Sequence, residues 1–157
     1  MTRKVFAAVT FVILSSFTAP SAYAQLEARA GDGEFHYTKI YADSTGASHF
    51  SDEQTPLASV DFAPPLPPVA ATSPLPASNL VVLSVPGGAV ADWHPVPRRQ
   101  INIILTGEVE IEVSDGETRR FGPGSWILGE DTWGQGHITR VVSNVTTLFA
   151  VITLDSQ

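Results

Sequence analysis

From Leu80 to Leu154 the chain is one short extended run after another, each stopped by a glycine turn. Outside the first residues, no stretch of ten or more carries a helical period. The run 108–113 shows the pattern most clearly: Val109, Ile111 and Val113 alternate with Glu108, Glu110 and Glu112. Successive side chains of a strand point to opposite faces, so this run has one buried face and one wet, acidic face. Pro86-Gly87-Gly88, Thr106-Gly107, Ser114-Asp115-Gly116 and Gly122-Pro123-Gly124 supply the turns between runs. Short strands punctuated in this way predict an all-β domain, either a sandwich or a small barrel.

Upstream, Phe35–Tyr41 alternates aromatic and β-branched residues and reads as a strand, followed by a turn at 43–46 and a short segment around His49-Phe50. Residues 64–78 hold six prolines in fifteen positions. Proline lacks an N–H and fixes φ, so this stretch is expected outside the sheet, as a surface loop or an extended polyproline segment.

The N-terminus reads as a targeting segment over residues 1–24. Arg3 and Lys4 precede an apolar stretch from Val5 to Phe17, and Ala22-Tyr23-Ala24 is a small-x-small cleavage site. That apolar stretch is too short to span about 30 Å of hydrocarbon as a helix. A secreted or periplasmic product beginning at Gln25 is expected, with a loose leader at 25–34 and one domain over 35–157. A chain starting with Gln cannot build the copper site that uses an N-terminal histidine amine. Losing Arg3 and Lys4 leaves seven basic against 16 acidic residues, a net charge of −9. That balance opposes nucleic acid and anionic membrane surfaces as partners. With no cysteine in the chain, any metal site must use imidazole, oxygen donors or water.

Two spaced motifs carry the chemistry. Gly88 is followed by His94-Pro95-Val96, then Gln100, then Gly107, and later by Gly134-Gln135-Gly136-His137. This resembles the first signature of the cupin barrels: a glycine, two histidines one residue apart, a carboxylate and a closing glycine, with a later histidine completing a metal site. The resemblance covers about residues 80–154. It implies a single-domain cupin, a double-stranded β-helix (jelly-roll) barrel. It also implies His94, Gln100 and His137 as ligands of one transition-metal ion. Here Val96 stands where the second histidine belongs, and Gln100 where the carboxylate belongs.

Two imidazoles and a neutral amide hold early divalent ions weakly, so copper is favoured, with zinc next and manganese or iron less suited. Such a set leaves positions open, as catalysis requires. The run WHPVPRRQ…GEVEIEV…GPGSW…EDTWGQGH looks like small, mostly bacterial cupins, some of which are similar to secreted copper-dependent enzymes that oxidise polysaccharide.

Around these ligands, Trp133 is the candidate ring platform for a substrate, ahead of Trp93 and of Trp126, which reads as core. Arg98 is either a substrate-carboxylate binder or the salt-bridge partner of Glu130 or Asp131. His36 and His49 are the candidates for a fourth ligand. Three functional classes stay open: a copper oxidoreductase using oxygen or peroxide on a polysaccharide or another organic substrate, a non-catalytic module binding a sugar or small acid, and a metal-assisted lyase or isomerase. A homodimer is expected to form by pairing of the Phe35–Tyr41 strand across a two-fold axis.

Overall fold

A computed structural model describes residues 33–155. The targeting segment and nearly all of the leader lie outside the described residues. Twelve strands and no helix make up the described chain. They are β1 (Glu34–Ala42), β2 (Ser48–Pro56), β3 (Ala58–Val60), β4 (Val69–Ala71), β5 (Ala77–Val85), β6 (Val90–His94), β7 (Gln100–Thr106), β8 (Val109–Val113), β9 (Thr118–Phe121), β10 (Trp126–Glu130), β11 (His137–Val141) and β12 (Thr147–Leu154).

A six-stranded sheet runs β2-β1-β10-β7-β12-β5, and a four-stranded sheet runs β6-β11-β8-β9. From β5 onward the connectivity is that of a jelly roll. Strands β5, β12, β7 and β10 form one wall and β6, β11, β8 and β9 form the other; successive strands cross between them except at the β8–β9 hairpin. The alternation in β8 has the expected result: Val109, Ile111 and Val113 are buried. They pack with Ile40, Phe50, Ile104, Phe121, Ile127 and Val141 in the core. Each such side chain contributes roughly 1.5–3 kcal/mol by leaving water.

The structure departs from the sequence reading in three places. The strand around Phe35–Tyr41 is β1, but it pairs in parallel with β10, so the sheet is not wholly antiparallel. It is also not an edge. The segment around His49-Phe50 is a nine-residue strand, β2, that covers its free side. Pairing of β1 across a dimer is therefore excluded, and the sheet's two edges are β2 and β5. Finally, the proline-rich stretch lies outside the two main sheets only in part. Val69–Ala71 pairs with β3, and Ala77 and Ser78 begin β5, three residues before the expected strand start at Leu80. Thr72, Ser73 and Leu75 close a cleft of about 280 Å³ over Phe35, Tyr37, Arg99 and Trp126 on the outer sheet face.

Candidate metal centre

His94 ends β6 and His137 begins β11, and the two are directly paired in register. Their rings lie 4.7 Å apart, centre to centre. This approach depends on Gly136, whose φ is +71° and whose missing side chain would overlap the backbone carbonyl of His94. The loop before it is anchored from the six-stranded sheet. Gln135 donates its backbone N–H to the Gly46 carbonyl at 3.0 Å, and the Ser48 hydroxyl donates to the Gly136 carbonyl at 2.6 Å.

Both imidazoles are held through Nδ1. His137 is buried, and its Nδ1 meets Oδ2 of Asp131 at 2.6 Å. His94 Nδ1 meets the Asp92 carbonyl at 2.7 Å. Carboxylate and carbonyl oxygens accept, so each Nδ1 is the donor and Nε2 is the ring nitrogen left for a ligand. This is the arrangement that metal-ligating histidines need, with an outer partner fixing tautomer and ring orientation.

Gln100 and Asn102 share a face of β7, and the Gln100 amide N–H donates to Asn102 Oδ1 at 3.1 Å. That bond uses the Gln100 nitrogen side and leaves its carbonyl oxygen as the donor atom. His94, Gln100, Asn102 and His137 all line one cavity of about 280 Å³. The rest of its wall is chiefly apolar, with Ile40, Val85, Ile111, Ile127, Val141 and Phe149.

The three expected ligands thus face a common space. A fit to a metal ion follows from the chemistry of the donors and from one further atom. Asp131 is fully buried, and its Oδ1 has no hydrogen-bond partner. A buried carboxylate is costly unless a positive charge balances it. A cation on the far nitrogen of His137 supplies that charge. Among the described residues, no three His, Asp, Glu or Cys side chains gather as a metal-binding group.

Val96, at the position of the second family histidine, is buried, lines the cavity and presses against Gly129. Trp133 does not line the cavity. Its ring lies against Gly46 and is half exposed, so it cannot serve as a platform beside His137. Arg98 is exposed and also outside the cavity. The ion pair with Glu130 belongs to Arg99, at 2.6 Å.

Neither candidate for a fourth ligand reaches the cavity. His36 lies 4.0 Å from Glu34, and His49 is clamped between Asp43 at 3.1 Å and Asp115 at 2.7 Å. Those carboxylates, Asp43 first, hold the His49 imidazole above its ordinary value. Trp126 is partly buried and packs edge-on to Phe35 at 5.0 Å, against the small outer cluster of Ile101, Leu128 and Leu154. The residue that sequence reasoning missed is Asp131. Its only signal was a carboxylate six positions before His137.

No family model matches the chain, and no curated protein does. Among solved structures, it is similar to a conserved protein of unknown function from Streptococcus pyogenes, at 24% identity and a TM-score of 0.41, over 50% of this chain and 64% of that one. A cupin domain from Bordetella pertussis Tohama I is similar at 19% identity and a TM-score of 0.40, over 49% and 80% of the two chains. A Cupin 2 conserved barrel domain protein from Salinispora arenicola is similar at 18% identity and a TM-score of 0.42, over 65% and 76%.

Proposed function

We propose that this chain is an exported metal-dependent oxidoreductase. In this reading it holds one copper ion through Nε2 of His94, Nε2 of His137 and the carbonyl oxygen of Gln100. The observation that carries the reading is the pair of imidazoles, both pinned through Nδ1 and both lining one cavity. Copper, when bound, would supply one-electron exchange with a reductant and with oxygen or peroxide. The protein's own part is to fix both tautomers, to balance charge through Asp131 and to keep water sparse around the donors with an apolar wall.

The cavity also narrows the substrate. A space of about 280 Å³ with an apolar lining suits a small organic molecule. A polysaccharide chain would reach the donors only through the cavity mouth.

The test is copper stoichiometry and electron paramagnetic resonance on the loaded protein, followed by peroxide consumption with ascorbate as reductant. One copper per chain with nitrogen couplings from two imidazoles supports the reading. Equal copper uptake by a His94→Ala, His137→Ala double variant sinks it.

Val96 favours a second reading. The apolar side chain at a ligand position extends the greasy wall at the expense of a third imidazole, as suits a non-catalytic module that captures an apolar small molecule. Binding of such a molecule that is unchanged by metal, with no peroxide or oxygen consumed, selects that alternative.

A further inference from the structure

Sheet edges present unpaired N–H and C=O groups, and folded proteins defend them with charge, proline or brevity. Three of the four edges of the two main sheets are defended. β2 carries Asp52 and Glu53 and ends in Pro56, β9 is four residues long and carries Arg119 and Arg120, and β6 carries Asp92. The fourth edge, β5, is nine residues of Ala-Ser-Asn-Leu-Val-Val-Leu-Ser-Val with no charge and no proline. Leu80, Val81, Val82 and Leu83 are 66, 50, 59 and 44% exposed, so both faces of the strand are bare. On β6, an edge strand of the other sheet, Val90 and Trp93 are exposed as well. Leu83 and Val90 also line the cavity while open to solvent, so the cavity opens between β5 and β6.

We propose that β5 pairs with β5 of a second copy, antiparallel about a two-fold axis. The six-stranded sheet then continues into its twin, and the open sides of the two cavities are walled by the partner. A second copy is the occupant that the strand fits. A two-fold contact must be self-complementary, and a strand made almost wholly of Leu and Val meets its own image without placing any charge opposite a like charge. In a chain of net charge −7, this uncharged strip is where two copies approach without repulsion.

The chain's own leader does not suffice. If residues 1–24 are removed, residues 25–32 remain ahead of β1, and β10, β7 and β12 stand between β1 and β5. Eight residues reach roughly 28 Å when fully extended. Crossing four strand spacings consumes about 19 Å of that. Too little is left to cover a nine-residue strand.

Size-exclusion chromatography with light scattering on the mature chain, at micromolar concentration, should give twice the chain mass. Val82→Lys, and separately Leu80→Lys, should raise the dimer dissociation constant at least about tenfold by placing like charges across the two-fold contact. Both sites are exposed, and unchanged circular dichroism and melting would show that the fold is intact. Gln54→Lys, on the β2 edge, should leave the dimer unaffected. A Val90→Cys probe, in a chain with no other thiol, should react slowly with a maleimide in the dimer and quickly when Val82→Lys is added. A monomeric wild type, or a Val82→Lys protein that stays dimeric, overturns the pairing. Equal labelling rates in the two backgrounds overturn the closure of the cavity.

Discussion

Asp131 is the residue on which the proposed metal centre can be tested against two histidines that merely face a hole. It touches no cavity space, yet it holds the proton on Nδ1 of His137. Asp131→Asn offers an amide whose N–H₂ end competes for that position and removes the buried negative charge. Copper affinity, measured by competition with a chelator of known strength, should fall about 10–100-fold. His137→Ala should abolish stoichiometric binding, and Gln100→Glu should raise affinity for manganese and iron by restoring an anionic donor. That His94, Gln100 and His137 would meet at one cavity was legible because their spacing survives in linear order. Asp131 was not, because a carboxylate in a polar loop looks the same on paper whether it is solvated or buried. Its burial belongs to a loop that Gly46 and Ser48 hold down from ninety residues upstream, a relation with no local signal. A second residue-scale outcome concerns His49. Its ordinary value is 6.5, raised here by Asp43 and then Asp115. The carboxylates' ordinary 3.8 is lowered, for Asp43 first by the Thr45 hydroxyl and for Asp115 first by the Glu117 backbone N–H. The histidine's stabilising contribution is complete below 6.5 and fades as pH rises through its raised folded value. That of the carboxylates is complete above 3.8 and fades as pH falls through their depressed values. The tie between the two turns is thus strongest from about pH 4 to 6.5. The difference in melting temperature between wild type and His49→Gln should shrink from about pH 6 to pH 8, and a difference that grows would contradict the sign.

At the scale of strands and turns, two glycines with the same backbone conformation should behave differently. Gly88 has φ +76° and nothing around it, so Gly88→Ala costs only the left-handed backbone, about 1–2 kcal/mol. Gly136 has φ +71°, and a side chain there would drive β11 away from the His94 carbonyl. Gly136→Ala should therefore cost the same strain plus a displaced pairing, and should weaken copper binding where Gly88→Ala leaves it intact. Chemical denaturation and a copper titration on both variants check this. Much of this level was legible in the chain. The period-two run of β8, the glycine turns and the missing helical period all led to the observed sheets. The parallel partnership of β1 with β10 was not legible, because a parallel neighbour needs no turn and leaves no mark between residues 42 and 126. The strand at Leu80–Val85 was legible, but the exposure of β5 was not. A continuous run such as Leu80-Val81-Val82-Leu83 reads as a strand covered on both faces, and composition alone does not distinguish burial inside a fold from burial against a second molecule.

For the molecule as a whole, the proposed ligands span the two walls of the barrel. His94 and His137 sit on the four-stranded sheet, and Gln100 on the six-stranded one. Cavity space separates these walls at the donors, where a close-packed protein would place side chains. An ion held by both walls adds a cross-link that exists only in the folded state. Binding to the native chain alone stabilises it by about 2.7 kcal/mol when free copper is a hundred times the dissociation constant. For a domain of this size that corresponds to a rise of roughly 10 °C in melting temperature. The rise should disappear on chelation and in the His94→Ala, His137→Ala variant. In Gln100→Ala it should be smaller, because the ion is then held by one wall and no longer ties the sheets together. The comparison that decides is between that variant and wild type. If copper still binds to Gln100→Ala through two imidazoles but protects the fold as well as it protects wild type, the ion does not bridge the sheets, and Gln100 is a cavity residue whose amide serves Asn102 alone.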